Sequence, residues 1–341
     1  MIRHVNIPVF IPHLGCPNQC VFCNQRTITG TSKFCADDVR DIIEDALNTI
    51  EEGTEVEIAF FGGSFTGIDF DLMCRLLEIA YSYILAGRVS SIRCSTRPDY
   101  IDGHILSTLK KYGVKVIELG LQSTSDKVLT LTKRAHSFEA EERACKMIVE
   151  AGFELVGQMM IGLPGSTLEL EEETARFIAS VRAKGARIYP TVVFRNTELC
   201  DMTENGSYVP LSLDDAILRS ARALKIFKDA GIPVIRIGLC ASDNLSAPDT
   251  YFAGPNHSAL GELVENEFYY ELIKEKIEKA DVIGPQSVTV FGSRGSLSKM
   301  IGQKRKNKLR LIDDFPLISF SFAESADVEE YDVRLQYEER K

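Results

Sequence analysis

Cys16, Cys20 and Cys23 stand at C-x3-C-x2-C spacing in the run Cys16-Pro-Asn-Gln-Cys20-Val-Phe-Cys23. Cysteine thiolates are the usual ligands of iron–sulfur clusters, four for a complete cubane. Three of them hold three irons and leave the fourth open to chemistry. Zinc follows a parallel logic, in which structural sites are closed and catalytic sites keep an open position. A zinc knot is the other reading of the triplet. Such sites favour paired C-x2-C elements with a further ligand at defined spacing. No second pair follows, and Cys35 and His13 are the only nearby candidates. Cys35, Cys74, Cys94, Cys145, Cys200 and Cys240 are scattered and read as small buried hydrophobes.

Strands and helices must position these thiols. Val5–Ile11 reads as a strand leading into the cysteine loop, and Asp37–Glu51 has helical apolar spacing. Strands follow at Val56–Phe61, Ile92–Ser95, Val114–Leu121, Leu155–Ile161, Ile188–Phe194 and Val234–Ile237. Helices between them include Phe70–Leu85, Ile101–Tyr112, Leu168–Lys184 and Leu213–Ala230. Ser212 and Gly231 are start and stop signals for the last of these. Such alternation implies parallel strands covered by helices, in about six units where a complete barrel has eight. The spacing alone fits an open doubly wound sheet or a partial barrel.

The pattern changes after residue 240. Asp243–Pro255 reads as a loop, Ser258–Lys279 and Ser296–Leu309 as helices, and Gln286–Phe291, Leu317–Phe322 and Tyr331–Gln336 as strands. The expected domains are therefore 1–240 and a small α/β extension, 241–341. The 341 residues are 45% hydrophobic, enough for a large core, and carry a net charge of −10. That balance argues against a broadly basic nucleic-acid coat. The nine cysteines, with no signal peptide visible, read as reduced thiols of a cytoplasmic protein. Residues 5–25 lack charge, but three prolines and several amide side chains exclude a membrane span.

The cysteine triplet resembles the signature of the radical S-adenosylmethionine (SAM) enzymes. The resemblance implies a (β/α)6 partial TIM barrel, a 4Fe-4S cluster on Cys16, Cys20 and Cys23, and SAM as the second cofactor. In that family the free iron chelates SAM, and an electron from the cluster cleaves it to methionine and a 5′-deoxyadenosyl radical. The Phe22 backbone then reads the adenine edge. Gly62-Gly63-Ser64 follows the second strand, where a glycine pair in the family contacts the methionine amino group. Ser95-Thr96-Arg97-Pro98-Asp99 is similar to the E-T-R-P-D segment of Elongator catalytic subunits, with Ser95 where those carry a ribose-holding glutamate. A serine hydroxyl still hydrogen-bonds a ribose hydroxyl, more weakly than a carboxylate.

Gln122, in Glu118-Leu-Gly-Leu-Gln122-Ser123, falls on a ribose-contacting glutamine of the Elongator and coproporphyrinogen-oxidase branches. Lys133-Arg134-Ala135-His136 resembles an R-G-H segment. There Arg134 matches an arginine that pairs with the SAM carboxylate, and Ala135 replaces a glycine. Gln158-Met-Met-Ile-Gly162-Leu163-Pro164-Gly165 resembles the adenine-packing loop of both branches. Gln158 stands where coproporphyrinogen oxidases place an aspartate on the ribose, while Met159 and Met160 read as core. Ile188-Tyr189-Pro190-Thr191 matches an Elongator run in which Tyr189 faces either the substrate or the core.

The resemblance runs over residues 16–191 and points to the Elongator catalytic-subunit-like branch, with two departures. The gap between the first two cysteines is three residues, and the residues after the core contain no Gly-rich acyl-CoA loop. A reduced flavodoxin or ferredoxin is the expected electron donor, since nothing in the sequence binds a flavin. Lys299–Arg310 packs six basic residues into twelve positions, a patch that grips phosphates. Its Ile301-Gly302-Gln303-Lys304 resembles the loop of KH RNA-binding modules, though Arg305 stands where the second loop glycine belongs. His257 at a helix start reads as a capping or packing histidine, or as one that touches substrate or orders the barrel mouth. Three functions stay open: a radical SAM enzyme acting on RNA or a nucleotide, one acting on a small metabolite or tetrapyrrole, and a noncatalytic iron–sulfur protein.

Overall fold

The computed structural model describes residues 4–11, 14–16, 20–24, 34–239, 247–280 and 286–339. His13 and Cys240 lie outside the described residues, as does part of the loop expected at 243–255. The first half alternates β1 (His4–Phe10), α1 (Val39–Leu47), β2 (Glu55–Phe61), α2 (Phe70–Leu85), β3 (Ser91–Thr96) and α3 (Gly103–Lys111). It continues through β4 (Val114–Gln122), α4 (Asp126–Leu131), α5 (Phe138–Glu150), β5 (Glu154–Ile161), α6 (Leu168–Ser180) and β6 (Gly185–Pro190). After β7 (Val193–Phe194) and α7 (Glu198–Glu204) come α8 (Leu213–Asp229) and β8 (Val234–Ile237). Between β4 and β5 the chain forms two helices, the six-residue α4 and the 13-residue α5.

The strands β1-β2-β3-β4-β5-β6-β8 form one seven-stranded sheet in chain order, and every neighbouring pair is parallel. A doubly wound sheet reverses its strand order at a switch point. The unbroken order is that of a curled partial barrel, so the (β/α)6 expectation holds with one additional short strand at the edge.

Period-two alternation gives the sheet two unlike faces. Ile7 and Val9 of β1, Ile58 and Phe60 of β2, Ile92 and Cys94 of β3, and Ile117 and Leu119 of β4 join the buried apolar core beneath the helices. The opposite face carries Glu57, Arg93, Glu118, Gln158, Arg187 and Tyr189. A parallel sheet covered on both faces reads as continuous apolar runs, so these polar positions mark a face turned to a lumen.

The C-terminal part comprises β9 (Tyr251–Ala253), α9 (Leu260–Lys279), β10 (Gln286–Gly292), α10 (Leu297–Ile301), α11 (Lys306–Asp314), β11 (Ile318–Glu324) and β12 (Val333–Glu339). Its sheet has the order β11-β10-β12, β10 being parallel to β11 and antiparallel to β12. The strand β9, inside the stretch expected as a loop, pairs with β7. Phe268, Ile273, Val288, Val290 and Phe320 belong to the same continuous core as the barrel residues. The helix expected over 296–309 is broken: Gly302, Lys304 and Arg305 take φ of 75°, 53° and 65°. Between α10 and α11 lies a short turn with left-handed backbone. No helix among the described residues is long and apolar enough to cross a membrane.

Phe60 is fully buried and stacks on Phe65 with ring centroids 4.4 Å apart, under the turn after β2. Phe60→Ala is expected to cost about 3–5 kcal/mol. The check is a urea titration, in which the midpoint falls while the slope stays unchanged.

Candidate functional site at the mouth of the half-barrel

The cysteine segment is fastened to the end of β2, to the end of α4 and to α7. Ile11 N–H donates to Phe61 O (2.7 Å), Val21 N–H to Thr132 O (3.3 Å) and Leu199 N–H to Val21 O (2.8 Å). Gly15 has φ +73°, and a Cβ there would lie 2.2 Å from Ser64 O, so only glycine lets the cysteine segment cross the turn after β2. Cys20 is 6% exposed, and Cys16 and Cys23 are half-buried. Cys23 N–H donates to Cys20 O (3.0 Å). Burial pushes the Cys16 thiol up, opposed by the Arg97 charge and a hydrogen bond from the Ser64 backbone. Among the described residues no three Cys, His, Asp or Glu side chains already converge as a metal site.

Two buried guanidiniums meet at Cys20. Arg97 Nη1 stands 3.7 Å and Arg134 Nη1 3.6 Å from its Sγ. Both arginines are fixed from behind. Arg97 makes a forked pair with Asp99 (2.9 and 2.8 Å) and donates to Arg134 O, and Arg134 Nη2 donates to Gly120 O. Lys133 and Ala135 have φ of 55° and 59°, so Ala135 adopts the left-handed backbone that glycine favours. Next to them, His136 Nε2 lies 3.0 Å from Glu141 Oε1, the imidazole 2% and the carboxyl 0% exposed. Burial and Arg134 push the His136 pKa down to about 4. Burial raises Glu141 well above the usual carboxylate range. At neutral pH the imidazole is uncharged, and burial favours the neutral form of the carboxyl.

The other expected residues divide into two levels. Gly62 has φ +96° and heads the turn after β2, with Gly63 beside it. Ser64 is fully buried, and its hydroxyl is engaged by Thr96 Oγ1 (3.0 Å) and Arg97 N–H (3.3 Å). That hydroxyl braces the turn, which leaves the glycine backbone to meet a ligand. Gln122 sits at a register shift in β4 with φ +73°, folded over Gly120, and its buried Oε1 has no partner among the described residues. Arg134 Nε is likewise buried and unpartnered. Phe22 packs against Val21, Val193, Leu199 and Tyr208.

Deeper in the lumen, Ser95 is the register partner of Glu118, and Gln158 Nε2 donates to Glu118 Oε2 (3.1 Å). The Gly162–Gly165 turn is held by Gly162 N–H on Glu171 Oε1 (2.7 Å) and by Tyr208 OH on Gly162 O (2.7 Å). Met159 is core, but Met160 is only partly buried and pairs in register with Tyr189 on the lumen face. His257 Nδ1 accepts from Ala259 N–H (3.1 Å), a local cap before α9.

Residues 10–178 match the family described as the Radical SAM superfamily, and residues 183–270 match a Radical_SAM C-terminal domain. The chain belongs to the radical SAM superfamily. Its members are generally enzymes, with iron–sulfur and SAM binding expected.

Relatives place this superfamily member near the Elongator branch. It is 28% identical over 214 residues to an uncharacterized protein of Methanocaldococcus jannaschii, covering 59% of this chain and 65% of that one. It is 31% identical over 133 residues to a tRNA uridine(34) acetyltransferase of Methanocaldococcus infernus, 38% of this chain and 25% of that one. Elongator complex protein 3 of Bos taurus is 30% identical over 174 residues, 47% and 32% of the two chains. The chain thus spans less than two thirds of the length of these relatives. A solved structure of the archaeal Methanocaldococcus infernus Elp3 superposes with TM-score 0.61 at 22% identity, covering 81% of this chain and 64% of that one. The partial barrel is therefore shared.

Sequence reasoning did not single out Asp99 and Glu141, or Arg97 as a partner of Cys20. Their signal, charged residues beside an R-x-H segment and in a helix's first turn, is ordinary on the surface and unusual only once buried. A carboxyl whose folded pKa is raised contributes stability below its unfolded value near 4.5 and loses it as pH rises toward the folded value. Glu141→Gln keeps the neutral form. Urea titrations should find it equal to the native protein near pH 4 and more stable at pH 7. The gap should widen by about 1.4 kcal/mol per pH unit until the folded pKa is reached. A gap independent of pH would mean that Glu141 is ionised.

Proposed function

We propose that the chain is a radical SAM enzyme whose Cys16, Cys20 and Cys23 hold a 4Fe-4S cluster and whose substrate is RNA or a nucleotide. The observation that carries the enzymatic reading is the pair of buried guanidiniums at Cys20, placed beside the glycine turn after β2. The thiolate is the form that ligates metal, and guanidinium N–H donors complement the negative charge that a thiolate-ligated cluster would bring. When bound, the cluster and SAM would supply an electron and a 5′-deoxyadenosyl radical for hydrogen abstraction.

The residues present fit that pair. The partnerless Gln122 Oε1 is an acceptor for a ribose hydroxyl, and Arg134 Nε is a spare donor toward a carboxylate. The Gly62-Gly63 backbone leaves room for a close approach. Phe22, Ser64, Ser95 and Gln158 complete the proposed SAM surroundings, Ser64 by bracing the turn. Reduced flavodoxin or ferredoxin is the proposed electron donor.

The basic turn between α10 and α11 favours RNA over a neutral metabolite. Gln303, Lys304, Arg305 and Lys306 are all exposed. Lys299 pairs with Glu265, Lys306 with Asp214 and Arg310 with Glu267, while Lys304 and Arg305 make no ion pair among the described residues. Asn307 fixes the turn by donating to Asn266 O (2.7 Å) and Lys299 O (3.2 Å).

The decisive assay is anaerobic reconstitution, reduction with dithionite, addition of SAM and chromatography for 5′-deoxyadenosine. Product is expected from the native protein and none from a variant with Cys16, Cys20 and Cys23 replaced by alanine. A reducible cluster without product would refute the enzymatic reading. For the substrate, Lys304→Ala with Arg305→Ala is expected to weaken binding of a transfer-RNA pool. The slope of log affinity against log salt should become shallower by about 0.7–0.9 for each phosphate that the variant no longer neutralises. An unchanged slope would remove RNA from that surface.

A further inference from the structure

We propose that Arg187, Arg236 and Tyr189, at the β6–β8 end of the lumen, form a subsite for an anionic group of the substrate, a phosphate monoester or a carboxylate. The inference rests on the reading of the lumen as the reaction chamber, and its test reads binding alone. The charges along the inner face are mostly answered. His4 Nε2 lies 2.9 Å from Glu57, and Arg93 Nε donates to Glu57 (2.7 Å). Glu118 takes Arg93 Nη1 (3.0 Å), Arg187 Nη2 (3.0 Å) and Gln158. Two carboxylates thus answer Arg93 and Arg187, and neither makes an ion pair with Arg236.

Arg236 is the register partner of Arg187 across β6 and β8. Both guanidiniums bear on the Tyr189 phenol, and Arg236 makes no ion pair among the described residues. An anion held beside Tyr189 would be answered by both. Arg187 is held ready for it. It is 8% exposed, locked by Glu118 and placed over the Phe61 ring at 5.9 Å, with Nη1 3.5 Å from Tyr189 OH. Burial raises the Tyr189 pKa, opposed by Arg187 and Arg236, so the phenol stays protonated and able to donate. Arg236 is exposed on the edge strand and open to an incoming group. Guanidiniums match both carboxylate and phosphate through paired N–H donors, so the two sources must be separated by experiment.

The test uses the reconstituted full chain and two matched probe pairs, uridine 5′-monophosphate with uridine, and succinate with succinamide. Calorimetry is expected to give tighter binding for the charged member of at least one pair, and about tenfold weaker binding of it to Arg236→Gln. Arg236→Lys should restore part of the loss. Without probe, Arg236→Gln should unfold at the same or a higher urea concentration than the native protein, which a purely structural arginine would not allow. An effect confined to the monophosphate assigns a nucleotide, and one confined to succinate assigns a carboxylate metabolite. Equal binding of charged and neutral members, no binding of any probe, or unchanged affinity in Arg236→Gln would overturn the subsite. Loss of 5′-deoxyadenosine formation with this binding intact would instead count against the radical reading.

Discussion

A single carboxylate organises the interior of the half-barrel. Glu118 is 1% exposed and takes donors from Arg93 on β3, Gln158 on β5 and Arg187 on β6. An unpaired charge at that depth would cost several kcal/mol of desolvation, and removing one partner of a buried pair is more damaging than never having built it. Glu118 is therefore tied to its neighbours, and they to it. The network crosses four strands on the lumen face, while the opposite face is apolar and carries the helices. It fixes which way each strand faces, because a slip of one residue would drive these charges into the hydrocarbon core.

The upper level of the lumen repeats the arrangement with a different purpose. Arg97 and Arg134 are buried, and each is held by a main-chain carbonyl, so their charge is directed at Cys20 instead of being spent on a carboxylate alone. Behind them His136 and Glu141 pair in a pocket whose burial favours the uncharged form of each. Preorganised donors of this kind cost no reorganisation when a charged group arrives. The unfilled atoms, Gln122 Oε1 and Arg134 Nε, lie in the same region, since both side chains reach Gly120.

The C-terminal sheet does not stand apart from the barrel. Helix α9 shares one apolar core with both, and Lys306 of the basic turn pairs with Asp214 at the start of α8 (3.2 Å). The turn therefore lies beside α8. Lys304 and Arg305, which make no ion pair among the described residues, are presented to solvent by the turn between α10 and α11.

Local matters were legible in the chain alone. Helix and strand positions followed from the spacing of apolar residues, with Phe70–Leu85 recovered to the residue. The parallel αβ class followed from their alternation. The cysteine spacing and the glycine turns are short-range patterns, legible because their chemistry is settled within a few residues. Whatever depends on strands meeting came from the fold. The partial barrel prevailed over the doubly wound sheet, since strand order is a long-range property that periodicity does not encode. The helix expected at 296–309 was divided, because Asn307 packs against Gly302 at a contact that leaves no room for a side chain. Residues 57, 93, 118 and 187 became one ionic network, and residues 20, 97 and 134 one cluster. Each of these lies in a different strand or loop, and a charged side chain reveals its purpose only when folding removes the water around it.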